Sequence, residues 1–269
     1  MGISFDYETS DSIEGRGCLN ARSRDLASLR LERCLTEIKL HSGKLLEVGC
    51  GAGRYLRALK IYRPDLKLFG CDLSRRAICE AEAADAGIVY LTANALSLPY
   101  KSDSFDIILL FDLLEHLEDV ERAVGEIWQV LKPSGLVHGF IPCEGNTNTL
   151  LHSLRNSQQF PILRWKRDYI GHIQQLTAKG VMRLFEASGF EILNYSYSIH
   201  LIGQVHDVAD YWRRHVLRHS NAGKVKKTLV AALVRSLFFF SWRLSYYEAN
   251  LLQKNPHGIG LHLTAVKKG

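Results

Sequence analysis

This chain predicts an α/β fold built on a mostly parallel sheet, and three observations carry the prediction. Residues 45–53 read Leu-Leu-Glu-Val-Gly-Cys-Gly-Ala-Gly, a short apolar β run that ends in alternating glycines. Further apolar runs of strand length alternate with helical stretches as far as Pro142. Carboxylates stand at or near the ends of the first two runs, at Glu47 and Asp72. Strand, tight loop and helix in that order form the first unit of a Rossmann-like arrangement.

The elements follow in order. A leader, residues 1–43, contains a helix expected from about Arg24 to Leu40, where Leu26, Leu29, Leu31, Leu35 and Ile38 make an imperfect apolar stripe. Leu45, Leu46 and Val48 make a buried strand, and Gly49, Gly51 and Gly53 remove every Cβ from the turn beyond it, so that backbone and ligand can approach closely. A helix opens at Arg54. The second strand, Leu66 to Cys71, ends in Asp72 about 20 residues beyond the glycine loop, where a carboxylate faces ribose hydroxyls. Ser74 is placed to cap a helix running from Arg75 to Ala86. A third strand, Ile88 to Leu91, leads to Asn94 and Ala95. The fourth, Ser104 to Phe111, runs into Asp112-Leu-Leu-Glu-His-Leu117, with Asp106 read as a structural carboxylate at its start. A helix from Val120 to Leu131, a turn at Lys132 to Gly135 and a fifth strand ending at Pro142 complete this part. Beyond it lie a helix Thr177 to Ser188, a sixth strand Phe190 to Tyr197 and a last strand Gly260 to Val266.

Glycine spacing separates the ligands. A dinucleotide fingerprint needs its third glycine at position 54, which is Arg54, and no Gly-Lys-Ser/Thr of a P-loop is near. An acidic residue two places before G-x-G-x-G instead resembles motif I of the class I S-adenosylmethionine-dependent methyltransferases. The segment after the fourth strand, with its Leu114-Glu115-His116 triplet, resembles the type 11/type 12 small-molecule branch of that family. The resemblance covers roughly residues 40–200 in four correctly ordered pieces.

It implies a seven-stranded, mostly parallel Rossmann-like sheet with helices on both faces, an antiparallel last strand and helical insertions. It implies S-adenosylmethionine as cofactor, with Glu47, Gly49, Cys50, Gly51 and Gly53 shaping the methionyl and ribose pocket. Asp72 and Leu73 meet the ribose, Asn94 and Ala95 lie beside the adenine, and Phe111 completes the set. The family commonly has an acidic residue where Asn94 stands; the amide carbonyl can accept from the adenine amine, but the amide also donates, so its orientation stays open. The division implied is a helical cap at 1–43, the cofactor-binding core at 44–199, a helical apolar and basic insertion at 200–256, and the final strand at 257–269. In such enzymes the leader often crosses the cofactor mouth, where Tyr7 takes part, or it packs plainly on the sheet.

Segments outside the core should carry the methyl acceptor. The stretch from Pro142 to Leu176 is long for a βα connection and holds Trp165, Tyr169, Arg155, Arg164, Lys166 and Arg167, which reads as a lid or substrate wall. Gly171-His172 and the following apolar residue and Thr177 resemble the family's segment at the active-site mouth. Candidates for assisting the transfer are His116, His172 and Asp112, with helix capping or plain packing the other reading of His116. Methyl transfer from a sulfonium is an in-line displacement, so alignment in a dry pocket should supply most of the catalysis.

The 200–256 insertion leaves three readings open. Lys224, Lys226 and Lys227 precede an apolar run, Leu229 to Leu244, that contains Phe238, Phe239, Phe240 and Trp242. At about 16 residues the run is short of the roughly 20 that span a bilayer. It is a lid over a greasy substrate, an interfacial helix on an anionic membrane, or a homodimer surface. A net charge of +6 and a pI near 9.0 fit the membrane contact and also permit nucleic acid. Against an RNA or DNA enzyme, no Asn/Asp-Pro-Pro-aromatic sequence follows the fourth strand. The six dispersed cysteines lack a C-x-x-C, so neither zinc nor disulfides are indicated and no metal is required. Met1 to Asp6 lacks the signature of a signal peptide, which places the expected enzyme in the cytoplasm, in part peripheral at the membrane. The expected activity is methyl transfer to a small-molecule, lipid-like or glycan acceptor. The alternatives are an RNA methyltransferase and a cofactor-binding partner protein without catalysis.

Overall fold

The computed structural model of the chain describes residues 15–17, 19–219, 238 and 240–268. Seven strands form one sheet: β1 Lys44–Val48, β2 Lys67–Asp72, β3 Val89–Thr92, β4 Phe105–Phe111, β5 Leu131–Pro142, β6 Phe190–Ser198 and β7 Gly260–Lys267. Their order is β3-β2-β1-β4-β5-β7-β6. The first five run parallel, and β7 pairs antiparallel with both β5 and β6. Strand order reverses between β1 and β4, so the loops leaving their carboxyl ends splay apart into a crevice.

Helices cover both faces because the central strands are apolar on both sides. Leu46, Val48, Ile108 and Leu110 face one core with α4 Val120–Val130 and α7 Ala178–Ala187. Leu45, Ile107, Leu109 and Phe111 face the other, beneath α1 Leu26–Glu37, α2 Arg54–Tyr62 and α3 Arg75–Ala84. The predicted cap forms, with the Ser74 hydroxyl accepting from Ala77 N at 3.2 Å, and Thr177 caps α7 in the same way, accepting from Gly180 N at 3.1 Å. Asp106 is structural, as its position indicated; it accepts from Lys44 N at 2.8 Å and Lys132 Nζ at 2.7 Å, tying β1 to β5.

Between Pro142 and Thr177 the chain forms two short helices, α5 Leu150–Leu154 and α6 Ile162–Ile170. Thr149 caps the first, and Gly171 ends the second in the left-handed conformation at φ 79°. The insertion between β6 and β7 contributes α8 Leu201–His219 and a helix over 240–251, α9. Lys224, Lys226 and Lys227 lie outside the described residues, as does Tyr7. Among the described residues, no helix is long and apolar enough to cross a membrane.

Candidate active site

At the crevice between β1 and β4 lies a cavity of about 480 Å³. Its floor is the glycine loop. Gly49 N and Cys50 N both donate to the Cys71 carbonyl, at 2.8 and 3.0 Å, which folds the loop over the end of β2. Gly49, Gly51 and Gly53 have φ of 75°, 52° and 78°, a region that side chains disfavour. A Cβ at Gly49 would stand 2.9 Å from Leu113 Cδ1. Gly53 plays a different part from its neighbours. It does not border the cavity but caps α2 with its back to Tyr90, whose hydroxyl a side chain there would strike.

Asp72 joins the two loops that carry the expected ribose contacts: Oδ2 accepts from Gly51 N at 2.8 Å and Oδ1 from Ser74 N at 2.9 Å. These two bonds fix the orientation of the carboxylate. Leu73, Asn94, Ala95 and Phe111 border the same end of the cavity. Asn94 turns its Oδ1 back to Leu96 N at 2.9 Å, so its nitrogen is the group left to meet a ligand. Glu47 is 1% exposed and its Oε2 has no hydrogen-bond partner among the described residues. Burial pushes its pKa up to about 8, against the opposing pull of Arg54.

Over this end lies the leader. Arg57 Nη2 donates to the carbonyls of Gly15 at 2.9 Å and Gly17 at 3.2 Å, which straps residues 15–17 across the glycine loop. Arg30 of α1 lies 3.7 Å above the Phe140 ring and is ion-paired with Asp112. Asp112 thus already has a cationic partner.

The far end of the cavity is walled by α6, α8 and α9. Ile170, Tyr211, Arg214 and Trp242 border it, and Trp242 and Phe238 both pack on His206, with ring centroids at 4.9 and 4.0 Å. Phe240 points outward, 64% exposed. Along this wall runs a largely buried chain of charge: His172 Nδ1 to Glu144 Oε1 at 2.9 Å, Glu144 to Lys166 Nζ at 2.8 Å, and Lys166 to the partly exposed Asp207 at 2.7 Å. Burial is the largest single influence on both Glu144 and Lys166 and opposes their charge, but the neighbouring charges together outweigh it: Lys166 with His172 for Glu144, Asp207 with Glu144 for Lys166. Glu144 is lowered to about 2, and with Asp207 it holds Lys166 well above the ordinary lysine range.

His116 and His172 stand edge to face at 4.8 Å and both border the cavity. Burial, with His172 adjacent, lowers the His116 pKa to about 4. The structure therefore gathers His116, His172 and Asp112 at one mouth and all the expected cofactor residues except Gly53 around one cavity. Sequence reasoning missed Glu144 and Asp207; it named Lys166 only as one cation of the substrate wall and Glu115 only as the middle member of the Leu-Glu-His triplet.

A Rossmann-like sheet with a glycine loop, a carboxylate at the end of β2 and a cavity at the switch point is an architecture that binds nucleoside cofactors. Residues 46–138 match the family model of the type 11 methyltransferase domain. The chain is 29% identical over 136 residues to norajmaline N-methyltransferase of Rauvolfia serpentina, covering 48% of this chain and 46% of that protein. It is 31% identical over 115 residues to a tRNA N(3)-methylcytidine methyltransferase of Drosophila melanogaster, covering 36% and 34%. Phosphoethanolamine N-methyltransferase 2 of Haemonchus contortus, solved with S-adenosyl-L-methionine, shares the fold with a TM-score of 0.58 at 18% identity, over 89% of this chain and 52% of that one. The chain spans about half the length, or less, of these curated relatives. Residues 46–138 thus carry a domain similar to the type 11 family of class I methyltransferases, whose cofactor is S-adenosylmethionine.

Proposed function

We propose that the chain transfers the methyl group of S-adenosylmethionine to a small-molecule or lipid-like acceptor. One observation carries the reading: a single cavity joins the glycine loop and Asp72 to an end walled by Ile170, Tyr211 and Trp242, with Arg214 and Asp210 beside them. A volume of about 480 Å³ falls within the roughly 300–1,000 Å³ of sites for cofactors and small ligands. Glu47, Gly49, Cys50, Gly51, Asp72, Leu73, Asn94, Ala95 and Phe111 hold the cofactor in this reading. His116 and His172 meet the acceptor, and Asp112 positions Arg30.

Catalysis comes from aligning nucleophile, methyl carbon and sulfur where water is excluded, an effect worth up to about 7–11 kcal/mol. The apolar segment that contains Phe238 and Trp242 encloses the acceptor, and its basic leader, Lys224 to Lys227, meets anionic lipid where the acceptor is membrane-borne. The test is thermal stabilisation of the protein by S-adenosylmethionine and S-adenosylhomocysteine, then release of S-adenosylhomocysteine with metabolite, lipid and RNA fractions as acceptors. Stabilisation with turnover on the small-molecule or lipid fraction is expected. Turnover on RNA alone would overturn the acceptor class, and stabilisation with no turnover on any fraction would favour a non-catalytic partner.

A further inference from the structure

Next to the two histidines that border the cavity sits a buried group that alignment alone does not need. Glu115 is 1% exposed, and neither oxygen of its carboxyl has a hydrogen-bond partner among the described residues. A carboxyl buried in that state is kept where something else completes it. Its Oε1 lies 3.7 Å from His116 Nε2 and 3.7 Å from His172 Nε2, too far for a hydrogen bond. The three side chains nevertheless bring candidate ligand atoms within 4.8 Å of one another.

Both imidazoles are oriented from behind. His116 Nδ1 lies 3.1 Å from the Gly171 carbonyl oxygen, and His172 Nδ1 lies 2.9 Å from Glu144 Oε1. A carbonyl and a carboxylate only accept, so each Nδ1 carries the proton and each Nε2 presents a lone pair on the Glu115 side. Glu144 is fixed in turn by Lys166. Imidazoles held through Nδ1–H by a carboxylate or a main-chain carbonyl are the outer-shell arrangement of metal-binding histidines. Two imidazole nitrogens and a carboxyl oxygen thus converge on one volume, a set of three groups able to ligate one cation.

The geometry points to a divalent-cation site at Glu115, His116 and His172, taking a first-row metal such as Mn²⁺, Fe²⁺, Co²⁺ or Zn²⁺, with its remaining positions facing the cavity for an acceptor oxygen. Two nitrogens with one oxygen suit these ions better than Ca²⁺ or Mg²⁺, which favour all-oxygen sets. Ligand atoms about 2.1 Å from a metal stand about 3.0–3.4 Å apart, so on binding the 3.7 Å separations close by a few tenths of an ångström and the widest, within 4.8 Å, by up to about 1.5 Å through side-chain rotation.

The role rests on the methyl-transfer reading. A cation there lowers the pKa of an acceptor hydroxyl so that its proton leaves to solvent. The oxygen lone pair then forms the new C–O bond while the electrons of the breaking C–S bond pass to sulfur, giving a methyl ether and S-adenosylhomocysteine.

Chelator-treated full-length protein, titrated with Mn²⁺, Co²⁺ and Zn²⁺ by calorimetry and thermal shift, tests the site, with S-adenosylhomocysteine binding measured on the same samples. One ion per chain is expected, with a Co²⁺ absorption spectrum of mixed nitrogen and oxygen ligation. Glu115→Gln and His172→Ala should each lose at least tenfold in ion affinity while retaining S-adenosylhomocysteine; should one variant not fold, the other decides. Wild-type protein that binds S-adenosylhomocysteine but takes up no ion at millimolar concentration overturns the site and leaves the methyltransferase reading standing. Ion affinity unchanged in the folded variants overturns it equally. Ion uptake without any S-adenosylhomocysteine binding would keep the site and remove its role on the acceptor.

Discussion

Replacing Glu47 by glutamine should make the ligand-free protein more stable, and by an amount that grows with pH. Burial raises the folded-state pKa of Glu47 from 4.5 to about 8. Between those values the folded chain keeps a proton that the unfolded chain has lost, so folding weakens as pH rises through the window. Each pH unit costs about 1.4 kcal/mol, and the full span of about 3.5 units gives a ceiling near 5 kcal/mol. Glutamine keeps the shape and one carbonyl acceptor but cannot ionise. Urea denaturation of both proteins at pH 5, 6, 7 and 8 isolates the effect, because the other titrating groups are common to both and cancel. The variant should gain on wild type by about 1 kcal/mol per pH unit, with little difference near pH 5. Parallel stability curves across the range would show that Glu47 is not held protonated and would refute the reasoning.

Further outcomes follow from the same geometry. Gly51→Val should abolish S-adenosylhomocysteine binding through its φ of 52°, and Asp72→Ala, which leaves Gly51 N and the ribose hydroxyls unpaired, should weaken it by about 1–3 kcal/mol. Calorimetry showing wild-type affinity in both would sink the cofactor assignment. Lys166→Met strands Glu144 and Asp207 without their shared cation and should cost about 3–5 kcal/mol of folding stability in urea; a loss under about 1 kcal/mol would mean the buried chain of charge is relaxed elsewhere. Co-sedimentation with liposomes should rise with anionic lipid, fall with salt, and reverse its lipid preference when Lys224, Lys226 and Lys227 become glutamate. No sedimentation on any lipid would confine the segment to its role as a wall.

The cofactor end was legible in the sequence because it is local. Strand, glycine loop and the carboxylate at the end of the next strand lie within one βαβ unit, and their spacing alone placed Gly49, Gly51 and Asp72. Gly53 was legible as a glycine but not as to why: its neighbour is Tyr90, which is distant in sequence and adjacent across the turn. The orientation of Asn94 depended on a backbone N–H two residues on, which composition cannot reveal. The acceptor end was hidden because Glu144, Lys166 and Asp207 meet only through α6 and α8. The helices α5 and α6 themselves read as loop, since segments of five and nine residues show too few turns for a period. Metal was sought through cysteine spacing, whereas the converging groups are two histidines 56 positions apart and a glutamate.

The two ends of the cavity come from different lengths of chain, and that division has a consequence. Apart from Gly15 and Arg30, the groups around the glycine loop belong to the first five strands, whereas Tyr211, Arg214 and Trp242 sit on helices inserted between the two antiparallel strands at the sheet's far edge. An insertion there lengthens a connection without shifting the register of any parallel strand. On the proposed function, exchanging α8 and α9 would change which molecule is methylated while leaving the glycine-loop end of the cavity intact. Grafting this insertion onto a relative's sheet would transplant the preference for an acceptor as a cassette.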